Sequence, residues 1–270
     1  MTPMNPQDLN HAADRHGIWF ESDGARLFAL DIGRGNPLLF VHGGLADHRA
    51  ALVRVGGAAS SLRLLAPDLR RSGRSIYTGE LSWDRLADDV CALLDHLNLE
   101  RAVVGGTSMG SAVAIRVGLR HPQRTAGLIL TSPLYPGADQ ALPDAACVAM
   151  RTMAEAGERA AAHGIDALRP LFESLPAAIR DFALNMLLGF DPASVAATTR
   201  FLASNAQPLE SARDLASLSV PVMLVPGADP QHPPEIAGLY ARHLRHPVVV
   251  DASGPELVER ISEFCGGLDW

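Results

Sequence analysis

Gly106-Thr107-Ser108-Met109-Gly110 decides the reading of this chain, because the apolar run Ala102 to Gly105 precedes it and the helical run Ser111 to His121 follows it. A serine on such a strand-to-helix turn takes a strained backbone angle and needs small neighbours on both sides, which the two glycines supply. Its hydroxyl then stands clear of the sheet, beside the amides of a helix N-terminus. The pentapeptide alone is a weak signal, since a chain with 24 glycines in 270 residues yields about 0.13 chance matches to G-x-S-x-G. The strand before it and the helix after it are what make Ser108 a candidate nucleophile.

Outward from that turn, strand-like and helix-like runs alternate. Ile18 to Glu21 and Ala25 to Asp31 flank Asp23-Gly24, a hairpin signal. Strands are then expected at Pro37 to Val41, Leu62 to Ala66, Ala102 to Gly105 and Gly127 to Thr131, with helices at Asp47 to Ala59, Ser82 to Leu97 and Ser111 to Arg120. This order predicts an α/β fold with a mostly parallel twisted sheet flanked by helices on both faces. From Leu134 to Gln207 the strand signal disappears, and helical patterns run over Asp144 to His163, Ile165 to Glu173, Ala177 to Gly189 and Pro192 to Ala206. Alternation resumes with Val220 to Val225, Pro234 to Leu244, Pro247 to Asp251 and Pro255 to Cys265. The expected organisation is a core domain of residues 1–133 and 208–270 with residues 134–207 as an inserted helical lid, placed over the carboxyl ends of the strands. Within that insertion Met150, Met153, Phe172, Phe182, Met186, Leu187 and Phe190 recur at roughly helical spacing. Most are expected to pack the lid itself and some to line a pocket.

Composition narrows the function classes. With 47% hydrophobic and 20% charged residues, the chain reads as one globular domain able to bury a sizeable core. A net charge of −7 with no basic stripe beyond Arg70, Arg71 and Arg74 argues against a nucleic-acid partner. No apolar stretch suggests a membrane span, and Met1 to His16 carries no apolar signal region, so a cytoplasmic protein is expected. Cys91, Cys147 and Cys265 are odd in number and lie in apolar helical patterns, where free buried thiols are the expectation. C-x-x-C, H-x-x-x-H and H-E-x-x-H spacings do not occur, so neither a metal nor another cofactor is expected. The expected partner is a small-molecule substrate, and the oligomeric state is not legible.

The chain resembles the α/β-hydrolase superfamily, in particular its lid-bearing members that act on small molecules, from about Ile18 to Phe264. Four stretches carry the resemblance. His42-Gly43-Gly44 follows the strand Pro37 to Val41; the resemblance implies that the Gly44 amide and the Met109 amide form an oxyanion hole, with His42 and Gly43 bracing the loop. His48, just beyond, reads as a solvent-facing residue at a helix start. Asp68-Leu69-Arg70-Arg71-Ser72-Gly73-Arg74-Ser75 is similar to the D-x-R-G-x-G-x-S loop, with Arg71 where glycine is expected. If that position needs positive φ, the arginine costs of order 1 kcal/mol. The elbow supplies Ser108, and Asp229, in Pro226-Gly227-Ala228-Asp229-Pro230-Gln231-His232-Pro233, stands where the family places its acid.

The family's histidine is missing from its usual loop, which here reads Asp251-Ala252-Ser253-Gly254, and no histidine follows His246. Three accounts stay open: His232 is the base, another histidine such as His48 or His163 substitutes, or the site performs no serine hydrolysis. The leading expectation is a serine hydrolase of a small ester, lactone or activated acyl substrate, working through an acyl-enzyme. Carbon–carbon bond hydrolases and cofactor-free perhydrolases resemble the same elbow, whereas dehalogenases and epoxide hydrolases with an aspartate nucleophile do not. The alternative is a non-hydrolytic protein of the same fold that binds a small apolar ligand.

Overall fold

The structure, a computed structural model, describes residues 6–173 and 175–270. A helix over Pro6–His16 (α1) leads into the strands Gly17–Ser22 (β1) and Ala25–Gly33 (β2), followed by Pro37–Val41 (β3), His48–Val55 (α2), Arg63–Pro67 (β4) and Trp83–His96 (α3). Then come Ala102–Thr107 (β5), Met109–Arg120 (α4) and Thr125–Thr131 (β6). Three α-helices follow, Asp144–His163 (α5), Ala177–Leu187 (α6) and Pro192–Leu202 (α7), before Val222–Val225 (β7), Pro234–His243 (α8), Pro247–Val249 (β8) and Gly254–Gly266 (α9). Between β6 and β7 no strand occurs among the described residues.

The strands form one eight-stranded sheet in the order β1-β2-β4-β3-β5-β6-β7-β8. The β1–β2 and β2–β4 pairings are antiparallel and the remaining ones parallel. Side-chain alternation along each strand divides the core in two. Leu39, Val41, Leu65, Val104, Leu128 and Leu224 face a layer that includes α3, α4 and α8. Leu38, Phe40, Leu64, Val103, Ile129 and Met223 face the layer of α2 and α9. Central strands are apolar on both faces because helices cover both, so they read as nearly unbroken hydrophobic runs.

Several local expectations are corrected by backbone chemistry. The helix expected over Ile165 to Glu173 is a 3₁₀ segment, Ile165–Leu171, with Pro170 inside it; proline donates no amide hydrogen and shortens regular helix. Asp47 to Ala59 is not one helix, because α2 gives way at Gly56-Gly57 to the 3₁₀ turn Gly56–Ser60. α7 ends at Leu202, ahead of the expected Ala206, and β8 has only three residues. α1, for which the polar N-terminal segment gave no hydrophobic signal, starts at Pro6 and places Ala12 and Ala13 in the core. Cys91 and Cys265 are buried, Cys147 is half-buried, and all three are free thiols.

Candidate active site

The sheet delivers Ser108 at the carboxyl end of β5, one residue before α4 begins, with φ 54° and ψ −112°. That strained, positive-φ backbone is held from several sides. Ser108 N–H donates to Thr131 O at 3.0 Å, and the Ser111 hydroxyl donates to Ser108 O at 2.7 Å. The flanking glycines are needed for space. A Cβ on Gly106 would overlap the Gly110 backbone, and one on Gly110 would lie 2.6 Å from His42 O and closer still to Val41 O. β3 and the elbow therefore touch backbone to backbone, which brings the loop after β3 beside the serine.

The Ser108 hydroxyl donates to His232 Nε2 at 2.8 Å, and the ring's Nδ1–H faces both carboxylate oxygens of Asp229 at 3.1 Å. Asp229 and His232 lie on one tight turn after β7, closed by His232 N–H donating to Asp229 O at 3.0 Å. The carboxylate also accepts from the amides of Gln231 at 2.9 Å and His232 at 3.0 Å. Burial alone would raise the Asp229 pKa, but the field of His232 and its hydrogen bonds, with the Gln231 amide, hold the carboxyl below its ordinary value. Among the histidines considered for the base, the structure brings His232 alone to Ser108; His163 is exposed on the last turn of α5 and His48 is engaged elsewhere.

Gly44 and Met109 both line the cavity that contains Ser108. Their amide hydrogens meet no acceptor among the described residues. His42 is buried, and burial pushes its pKa down, so the neutral ring donates from Nδ1 to Gly43 O at 2.7 Å and accepts the Leu69 amide on Nε2 at 3.1 Å. It thereby ties the loop after β3 to the loop after β4. His48 corrects the expectation of a solvent-facing side chain. It is 3% exposed, and its Nδ1 and backbone N–H both bond to Asp68 Oδ1, at 2.8 and 2.7 Å.

Asp47, His48 and Asp68 bring ligand-type atoms within 4.8 Å of one another. Protein donors already occupy their oxygens: Arg49 binds Asp47, while His48 and the Arg74 amide bind Asp68. Arg71 does sit at positive φ, 62°, where the loop pattern calls for glycine. Its guanidinium donates twice to Gly79 O, at 3.0 and 2.6 Å.

A cavity of about 190 Å³ opens over the serine. Beyond Ser108, Met109, His232 and the glycine loop, its wall is Leu134, Tyr135, Ala146, Ala149, Met150, Met153, Leu202 and Gln231. α5 and α7 thus contribute side chains directly over the elbow. Of the apolar residues singled out in the sequence, Met150 and Met153 reach this wall, whereas Leu187, Phe172 and Phe190 pack with Val195 in a separate small core. Tyr135 and Gly227 carry no motif and were not anticipated. The clue to Gly227 was its place in Pro-Gly-Ala-Asp, for a Cβ there would lie inside His232.

Residues 38–259 match the family described as "Alpha/beta hydrolase family", and the chain belongs to that family. A curated relative, the AB hydrolase superfamily protein YisY of Bacillus subtilis, is 39% identical over 97 residues, 35% of this chain and 36% of that protein. The matched stretch therefore spans little more than a third of that relative's length. A malate-bound thermophilic esterase from Thermogutta terrifontis superposes with a TM-score of 0.68 at 26% identity, covering 92% of this chain and 96% of that one. An N-acyl homoserine lactone degrading enzyme superposes with a TM-score of 0.66 at 26% identity, covering 92% and 98%.

Proposed function

We propose that this protein is a serine hydrolase of small carboxylic esters or lactones, with Ser108 as nucleophile, His232 as general base and Asp229 as the group that orients it. The observation that carries the reading is the unbroken line from Asp229 through His232 to Ser108, with each link at 3.1 Å or less. A free serine hydroxyl is a poor nucleophile at neutral pH and needs a base within hydrogen-bond reach. As Ser108 Oγ attacks the acyl carbon, its proton passes to His232 Nε2, and the ionised Asp229 stabilises the imidazolium that forms. The same proton then goes to the leaving alkoxide. Water repeats the sequence on the acyl-enzyme and regenerates Ser108. The Gly44 and Met109 amides, without an acceptor among the described residues and on the wall of the cavity that contains Ser108, are the donors for the oxyanion; losing one such donor costs about 2.7–4 kcal/mol of transition-state stabilisation.

Residues 134–207 serve as the lid in this reading, because α5 and α7 supply the apolar roof of the cavity. The cavity size favours small acyl groups. At about 190 Å³ it lies nearer the roughly 150 Å³ that accommodates benzene than the roughly 300–1,000 Å³ of pockets for drug-sized ligands. Its walls carry neither lysine nor arginine, which favours uncharged substrates. The esterase and the lactone-degrading enzyme among the structural relatives point to the same bond class.

The test is a panel of p-nitrophenyl esters of increasing acyl length beside aryl lactones. Turnover that is highest for short acyl chains and falls steeply beyond them is expected. Absence of turnover across the panel would instead favour a ligand-binding protein built on this fold.

A further inference from the structure

β8 ends the sheet, with β7 as its neighbour on one side and no strand on the other. Backbone polar groups alternate sides along a strand. Val250 N–H donates inward to Leu224 O at 2.8 Å, so the N–H and C=O of Val249 and the C=O of Pro247 point outward, and the alternation sends the Asp251 amide the same way. β7 does not reach these groups, and no other hydrogen bond to them occurs among the described residues. The side chains beside them are apolar on both faces. Val248, in register with Met223, lies on the α9 face and is 48% exposed, while Val249, in register with Leu224, lies on the α8 face and is 54% exposed. Edge strands are commonly blunted by charged side chains within the strand or by a covering element. β8 has no charged residue of its own.

The charges that flank β8 say what fits it. Exposed Arg245 and His246 precede the strand and exposed Asp251 follows it. Arg245 uses Nε on Ala216 O at 3.0 Å, and neither it nor Asp251 has an ion-pair partner among the described residues, whereas Glu256 and Glu263 of α9 are both engaged with Arg260. An edge that is positive at one end and negative at the other complements a second copy of itself laid antiparallel.

We propose that this protein forms a two-fold symmetric homodimer by pairing β8 with β8, centred on Val249. In that register Val249 N–H donates to the partner's Val249 O and Asp251 N–H donates to the partner's Pro247 O, each made twice by symmetry. Pro247 contributes only its carbonyl, which is the group it has. Val249 meets the partner's Val249 on one face, Val248 meets the partner's Val250 on the other, and Arg245 stands diagonal to the partner's Asp251, within reach of a long side chain. Sliding the centre one residue forward sets Val249 against Asp251; one residue back sets it against Pro247 and loses half of these hydrogen bonds. A strand of three residues with its flanks makes an interface below the ~1,200 Å² of standard ones, so the dimer is weak and concentration-dependent.

Sedimentation velocity from about 1 μM to 1 mM tests this. The wild type should pass from monomer to dimer, and Val249→Lys should weaken association at least about ten-fold through juxtaposed like charges. Arg245→Asp and Asp251→Arg should each weaken it, and the two together should restore it. Geometry is read by Val249→Cys and Val248→Cys, oxidised by air with copper phenanthroline beside the wild type. Directly opposed residues of a hydrogen-bonded pair have Cα atoms about 5.5 Å apart, within disulfide range, whereas a diagonal pair is too distant; Val249→Cys alone should give a covalent dimer. Unchanged circular dichroism confirms that the exposed substitutions leave the fold intact. A wild type that stays monomeric throughout, a dimer indifferent to Val249→Lys, no rescue by the double charge reversal, or equal cross-linking by the two cysteine variants overturns the proposal.

Discussion

Asp229 and His232 stand three residues apart on a single turn, so the acid and the base of the candidate site are carried by one loop rather than two. The imidazole bridges from that loop to Ser108, 124 residues away in sequence, through a 2.8 Å hydrogen bond. A base mounted this way keeps its distance to its carboxylate whatever the loop after β8 does. With Asp251-Ala252-Ser253-Gly254 lacking a histidine, an imidazole still reaches the serine from the other loop. Removing the imidazole should therefore abolish most of the activity. His232→Ala is expected to lower kcat for a p-nitrophenyl ester by about 10²–10⁴-fold, the contribution of a positioned acid–base group, as read by steady-state kinetics.

The turn has one tight spot. A Cβ on Gly227 would overlap the His232 carbonyl and lie 2.9 Å from its carbonyl carbon. Gly227→Ala must shift His232 or the turn that carries it, and misplacement by about 1 Å can cost on the order of 10²-fold in rate. Kinetics should show that loss with the far-ultraviolet circular dichroism unchanged, because the sheet and its helices lie outside the turn.

The elbow glycines report on stability as well as activity. Gly110→Ala drives a methyl into the carbonyls of Val41 and His42, and backbone cannot rotate away as a side chain can. A loss of about 1–3 kcal/mol, the usual cost of overpacking, is expected in urea unfolding.

Asp68 gives a pH signature. Its burial alone would raise the pKa, but the field and hydrogen bond of His48, the field of His42 and the Arg74 amide lower it. A carboxyl whose folded pKa lies below its unfolded value of about 3.9 contributes stability in full above that value and loses it as the pH falls through the folded value. Wild-type stability should therefore decline below about pH 4. Asp68→Asn should be less stable at neutral pH, by about 3–5 kcal/mol for one broken partner of a buried pair, and should lose less over the same acid window. Urea titrations at stepped pH read both.

Legibility followed the kind of signal each residue gives. The strands read well because apolar runs bounded by turn residues have few alternatives, and β3 falls on Pro37–Val41 as its sequence indicates. Ser108 was visible because steric need fixes its glycine neighbours, a constraint written locally. The base was not fixed in this way. His232 reaches Ser108 only because β7 and β5 flank β6 in the sheet, and one sequence leaves open which loops meet above the strands. His48 misled for a related reason: its burial depends on Asp68, which arrives from another strand-to-helix loop.

In the proposed mechanism Ser108 is a nucleophile because His232 activates it. Incubation with a serine-directed fluorophosphonate, followed by intact-protein and peptide mass spectrometry over time, tests this without knowledge of the substrate. A single adduct on Ser108 is expected in the wild type, none there in Ser108→Ala, and labelling slowed by about 10²-fold or more in His232→Ala. An unlabelled Ser108 in the wild type, or equal labelling rates with and without His232, would contradict it.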